Sequence, residues 1–124
     1  MLKDNSDDAA MLNNFANLLF QLSDKDAQKY AEQAVKLRPN NAAFSDTLGW
    51  ILVNTAQQEN GLRYLREARL RNPNSVEIRY HLAYALARNG RKGEAIEEFR
   101  AASAMLGDRV TDPEHIQLKK ELGL

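Results

Sequence analysis

The chain has 124 residues, 44% of them apolar and 27% charged, the size and composition of one globular domain with a core that needs no staples. Its 17 Lys and Arg balance 17 Asp and Glu, which argues against a nucleic-acid or anionic-membrane binder that depends on excess positive charge. Absence of Cys excludes disulfide scaffolds, zinc knuckles, iron–sulfur sites and thiol catalysis; no apolar run approaches a membrane span, and MLKDNSDDAA does not read as a signal peptide.

The first predicted helix covers 8–22, with Leu12, Phe15, Ala16 and Leu19 on one face. A second, over 25–38, carries the small residues Ala27, Ala31 and Ala34 and stops at Leu37-Arg38-Pro39-Asn40-Asn41. The third covers 42–56 with Leu48, Gly49 and Leu52. The fourth covers 59–72 with Gly61, Leu65 and Ala68, and ends in Leu70-Arg71-Asn72-Pro73-Asn74. Leu82, Ala83 and Leu86 mark a fifth helix over 75–89, separated by Gly90 from a sixth over 92–106 with Ala95, Phe99 and Ala102. Gly107 breaks that helix. Asp112-Pro113, an N-cap residue followed by proline at the first helical position, starts a seventh. No alternating run of strand type occurs.

These helices repeat. Pro39 and Pro73 are 34 residues apart, and the same step reaches Gly107. Ala34, Ala68 and Ala102 form one column; Ala27, Gly61 and Ala95 form a second; Ala31, Leu65 and Phe99 form a third. Small residues at fixed offsets are what two helices need to approach within about 8–10 Å. The first unit departs from the period: its face fits only with a one-residue deletion near Leu22-Ser23-Asp24, which predicts a tighter interhelical turn there.

Little in the chain carries chemistry. The two histidines, His81 and His115, have no metal-ligand spacing, and His81 reads as a half-exposed helix residue. Glu97 and Glu98 are adjacent and diverge by about 100° on a helix, so they cannot converge on one substrate. The basic run Arg63, Arg66, Arg69 and Arg71 is interleaved with glutamates and reads as a solvated face tied by Glu59–Arg63, Arg63–Glu67 and Glu67–Arg71 pairs. No catalytic residue, metal site or cofactor is expected.

The columns over residues 8–107 resemble the tetratricopeptide repeat, a 34-residue helix–turn–helix unit. The resemblance implies an all-α, right-handed α-solenoid. Its segments are a tail of a preceding repeat or linker (1–7), repeats over 8–41, 42–75 and 76–109, and a C-terminal capping helix (110–124) carrying Ile116, Leu118 and Leu122. It also implies a concave groove lined by the first helix of each unit. Carried over position by position, the groove residues are Asn13, Asn17, Asp46, Trp50, Asn54, Tyr80, His81, Tyr84 and Arg88. The sole Trp and two of the four Tyr lie there, residue types that anchor interfaces.

The clamp with which one subclass grips the C-terminal carboxylate of heat-shock chaperones is missing. Asn17 matches it, whereas Asn13, Thr47, Glu77 and His81 stand where Lys, Asn, Lys and Arg are wanted. Asp46-Thr47-Leu48-Gly49-Trp50-Ile51-Leu52 is similar to a stretch in bacterial repeat proteins of exopolysaccharide and exosortase-type (PEP-CTERM) protein-sorting systems, whose parents are often lipoproteins facing the periplasm. Met11 and Leu18 lie on the side of the first helix that in this family packs on a preceding repeat, so the chain reads as the C-terminal part of a longer array or as one that dimerises through that face.

The expected function is therefore a non-catalytic scaffold that binds a protein or peptide in its groove, in bacterial envelope or protein-sorting assembly. The alternative is a purely structural terminal segment or a homodimerisation module. No nucleic-acid partner or direct membrane insertion is expected. Compartment stays open between a periplasm-facing parent and the cytoplasm.

Overall fold

A computed structural model describes residues 5–106 and 113–124 as seven α-helices. They are α1 (Asn5–Gln21), α2 (Ala27–Leu37), α3 (Ala42–Val53), α4 (Gln58–Arg71), α5 (Val76–Arg88), α6 (Lys92–Leu106) and α7 (Pro113–Glu121). The first six pack as three successive antiparallel pairs, each against the next, and α7 lies on α5 and α6. The all-α repeat architecture is as expected; the breaks at Gly107 and Asp112 fall outside the described residues. No helix among the described residues is long and apolar enough to cross a membrane.

Local chemistry sets the helix ends. The side chains of Asn41 and Ser75 accept from the backbone N–H of Phe44 (3.0 Å) and Ile78 (3.2 Å), capping α3 and α5. Within each pair the chain reverses through one residue of positive φ: Ser23 (59°), Ala56 (65°) and Gly90 (76°). The N–H that follows each of them donates back to Leu19, Leu52 and Leu86, at 2.8, 3.0 and 2.8 Å. This is the six-to-one bond that closes a helix on a left-handed residue. Only at Gly90 is that conformation free of a Cβ penalty.

The same bonds correct the expected tighter turn in the first unit. Its reversal matches the other two. The shortening comes afterwards, because Ser23 precedes Ala27 by four residues, while Ala56 and Gly90 precede Gly61 and Ala95 by five. The lost residue is taken out of the first turn of α2, which begins at Ala27 itself.

The small columns are the crossing points. Ala34, Ala68 and Ala102 are fully buried, as are Ala16 and Ala83. Helices α3 and α4 approach closely. A Cβ on Gly49 would stand 2.8 Å from Leu65 Cγ and 2.9 Å from the Gly61 carbonyl, and one on Gly61 would stand 2.5 Å from Val53 Cγ2. The core grows toward the C-terminus: Leu82, Leu86, Phe99, Leu106, Leu118 and Leu122 pack in one cluster, while the first pair is closed mainly by alanines. Ile116, expected beneath the capping helix, is exposed, whereas Leu118 and Leu122 are buried.

Of the three expected ion pairs along α4, Glu67–Arg71 forms, at 3.6 Å. Arg66 and Arg69 instead reach across to Glu94 (3.1 Å) and Glu98 on α6, and Glu98 also receives Arg79 at 3.0 Å. The basic run is a strut between the second and third pairs. Arg66 and Arg91 hold the Glu94 carboxyl below its usual range through side-chain hydrogen bonds.

Candidate functional site

Helices α3 and α5 lie side by side on the face formed by the first helix of each pair. On α3, Asp46 and Trp50 are one turn apart; on α5, Tyr80, Tyr84 and Arg88 follow at the same step, with His81 beside Tyr80. That spacing stacks each set along one helix edge. The structure brings the two sets together.

Trp50 and His81 are stacked, with ring centroids 4.1 Å apart and planes 16° apart. Tyr84 meets the same indole edge-on at 5.0 Å. Behind the imidazole, Nδ1 of His81 donates to Oδ1 of Asp46 at 2.8 Å, with both side chains largely buried. The pair fixes the ring's orientation, and the ring fixes one face of Trp50. His81 is therefore more enclosed than its helical position suggests. On the outer side of Tyr84, the Arg88 guanidinium sits 4.7 Å from the ring centroid and donates to the phenol oxygen.

These rings form half of a pocket of about 360 Å³. Tyr80, whose ring packs against Phe99 at 6.0 Å and belongs to the core, also lines it. The other half comes from α7, through Pro113, Gln117, Leu118 and Glu121. No sequence signal pointed to α7 as a groove wall. The burial of Leu118 turns this helix so that Gln117 and Glu121 meet the aromatic row.

The remaining candidate positions lie on α1 and at the end of α3, outside the pocket. Asn13 on α1 is 9% exposed, and its Oδ1 has no hydrogen-bond partner among the described residues. Asn17 is exposed one turn further on. Asn54 caps α3, its side-chain Nδ2 donating to the Trp50 carbonyl at 2.8 Å, and so supports Trp50 from below. Met11 and Leu18 are exposed on another face of α1. Among the described residues no group of three His, Cys, Asp or Glu is arranged to hold a metal ion.

The tetratricopeptide repeat family model matches residues 47–106. The Arabidopsis OM64 TPR domain superposes with a TM-score of 0.84 at 17% identity, over 96% of this chain and 97% of that one. The Yersinia enterocolitica type III secretion translocator chaperone SycD gives 0.83 at 18%, over 98% and 85%. PcrH, a Pseudomonas aeruginosa protein solved in complex with the chaperone binding region of PopD, gives 0.75 at 22%, over 94% and 86%. At these identities the likeness carries the fold. No curated protein matches the chain.

Proposed function

From the premise that this chain is built of tetratricopeptide repeats, we propose that it is a protein-interaction scaffold whose groove holds an extended segment of a partner, anchored at Trp50 and Tyr84. The observation that carries this reading is the aromatic pocket between α3, α5 and α7. Trp and Tyr supply large, rigid contact area at low entropic cost, and a half-enclosed aromatic pocket is where binding energy concentrates. Trp50, Tyr80, Tyr84, Pro113 and Leu118 make the pocket lining mainly apolar, so it favours an apolar or aromatic side chain.

With neighbouring helices about 8–10 Å apart, the exposed Asn17 on α1 and the pocket would be spanned by about five or six extended residues. PcrH in complex with a segment of PopD, on a related fold, supports the same mode. The finer setting, bacterial envelope or protein-sorting assembly, rests on the heptapeptide Asp46-Thr47-Leu48-Gly49-Trp50-Ile51-Leu52.

Selection from a displayed random-peptide library tests the groove. Enriched peptides should share a neutral apolar anchor and lose at least tenfold in affinity against Tyr84→Ala, with melting little changed. Peptides that bind Tyr84→Ala as tightly as the wild type would refute it.

A further inference from the structure

The helix that carries Trp50 has one charged residue, and it is buried. Asp46 is the sole ionisable side chain of α3, and 6% of that side chain is exposed. Among the described residues its hydrogen-bond partner is Nδ1 of His81, at 2.8 Å. An ionised carboxylate withdrawn from water needs a cation or several donors beside it, and one neutral imidazole N–H falls short of that. A second proton on the imidazole supplies the cation.

The face of the same ring lies on Trp50. Centroids at 4.1 Å and planes 16° apart lay the imidazole flat on the indole, where an imidazolium is a cation on an aromatic face. Asp46 and Trp50 thus favour the same protonation state of His81. The elements around the ring bring few other charges. Glu121 of α7 lines the pocket with His81, and Glu77 lies one turn before it on α5; both are acidic. Arg88 opposes them from two turns further along α5, where its guanidinium is engaged with Tyr84. Tyr80 and Tyr84 bring phenols to the same pocket.

We propose that the Asp46–His81 pair is a proton-operated support for Trp50: the groove captures its peptide in the protonated state and loosens its hold as pH rises through the titration of His81. With the imidazolium in place, Asp46 is neutralised and the indole is pinned from behind. When the proton leaves, a lone carboxylate stays in a nearly dry position. Water must come in to it, and the ring that held Trp50 loses its charge and its fixed place. Histidine is the side chain suited to such a change near neutral pH. The device acts on the residue proposed above to anchor the peptide, and so rests on that reading. The coupling is reciprocal, so a bound peptide must keep the proton on His81 to higher pH.

Two titrations test it. In the free chain, the imidazole C–H resonances and Trp50 emission, followed from about pH 5 to 9, should share one step. His115→Gln identifies the His81 resonance by removing the only other imidazole. Asp46→Asn keeps an acceptor and loses the charge, and should move that step down by about one pH unit or more. In the second titration, a library-selected peptide without His, acetylated at its amino terminus, should bind several-fold more weakly above the step than below it. It should also move the His81 step upward when bound, a point that the wild-type chain decides whether or not Asp46→Asn folds. Trp50 emission that ignores the titration of His81, or a step that stays in place in folded Asp46→Asn, overturns the proposal. So does binding independent of pH, which leaves the groove reading standing. A peptide that binds with Trp50 emission unchanged sinks the groove reading itself, and this proposal with it.

Discussion

The two ends of the solenoid use the same repeat position in opposite ways. Leu82 on α5 is fully buried beneath α6 and the preceding pair, whereas Phe15, its counterpart on α1, is 43% exposed and meets Tyr30 edge-on at 4.8 Å. At the C-terminal end α7 buries Leu118 and Leu122 over the last pair. The N-terminal pair instead closes on Ala9, Ala16, Ala27, Ala31 and Ala34. A repeat position is core only when neighbours lie on both sides. The aromatic pocket therefore sits on the well-packed end, and the exposed Met11, Phe15 and Leu18 on the thin one.

That contrast breaks most sharply at its own two residues. Leu82→Ala should cost about 3 kcal/mol through lost transfer energy and a cavity, whereas Phe15→Ala should cost about 1 kcal/mol. Urea midpoints compare them, and equal costs would contradict the unequal ends. Leu122→Ala, which opens the capping helix, should cost about 2 kcal/mol and weaken peptide capture together, since α7 is also a wall of the pocket. Between the two ends, Gly49→Leu should overpack the α3–α4 crossing and cost about 1–3 kcal/mol. A variant that melts like the wild type would contradict that close approach.

The smallest effect concerns Glu94. Its carboxyl is held below the usual range by Arg66 and Arg91, so in acid the unfolded chain binds a proton that the folded chain resists. The stability this contributes is present at neutral pH and is lost as pH falls through the lowered value. Glu94→Gln should flatten the acid limb of the stability curve slightly, with little change at the N-terminal end. Urea midpoints across the acid range measure it.

Repeat columns made most of the fold legible, because Ala34, Ala68 and Ala102 or Gly49 and Gly61 are dictated by the distance between helix axes, a local constraint that recurs at a fixed step. What was not legible depends on partners far along the chain. Arg66 and Arg69 read as part of a solvated helix face, yet their carboxylates lie 28 and 29 residues away on α6. Asp46 and His81 are 35 residues apart and meet only because α3 and α5 are neighbours. The aromatic row could be read from its one-turn spacing. The wall formed by α7 could not, because no repeat period governs how a final helix lies on the last pair. Ile116 and Leu118 looked equally fit for the core, and the lie of that helix decided which was buried.

Trp50 is the sole tryptophan, so its emission reports on the proposed site without a label. The most direct measurement is an emission titration of the full chain with one library-selected peptide, repeated with the same peptide after its apolar anchor is changed to Ala. Saturable change in Trp50 emission with the first, and at least tenfold weaker binding with the second, is the expected result. Tight binding of the selected peptide with Trp50 emission unchanged would place the partner elsewhere and contradict the groove as the working surface.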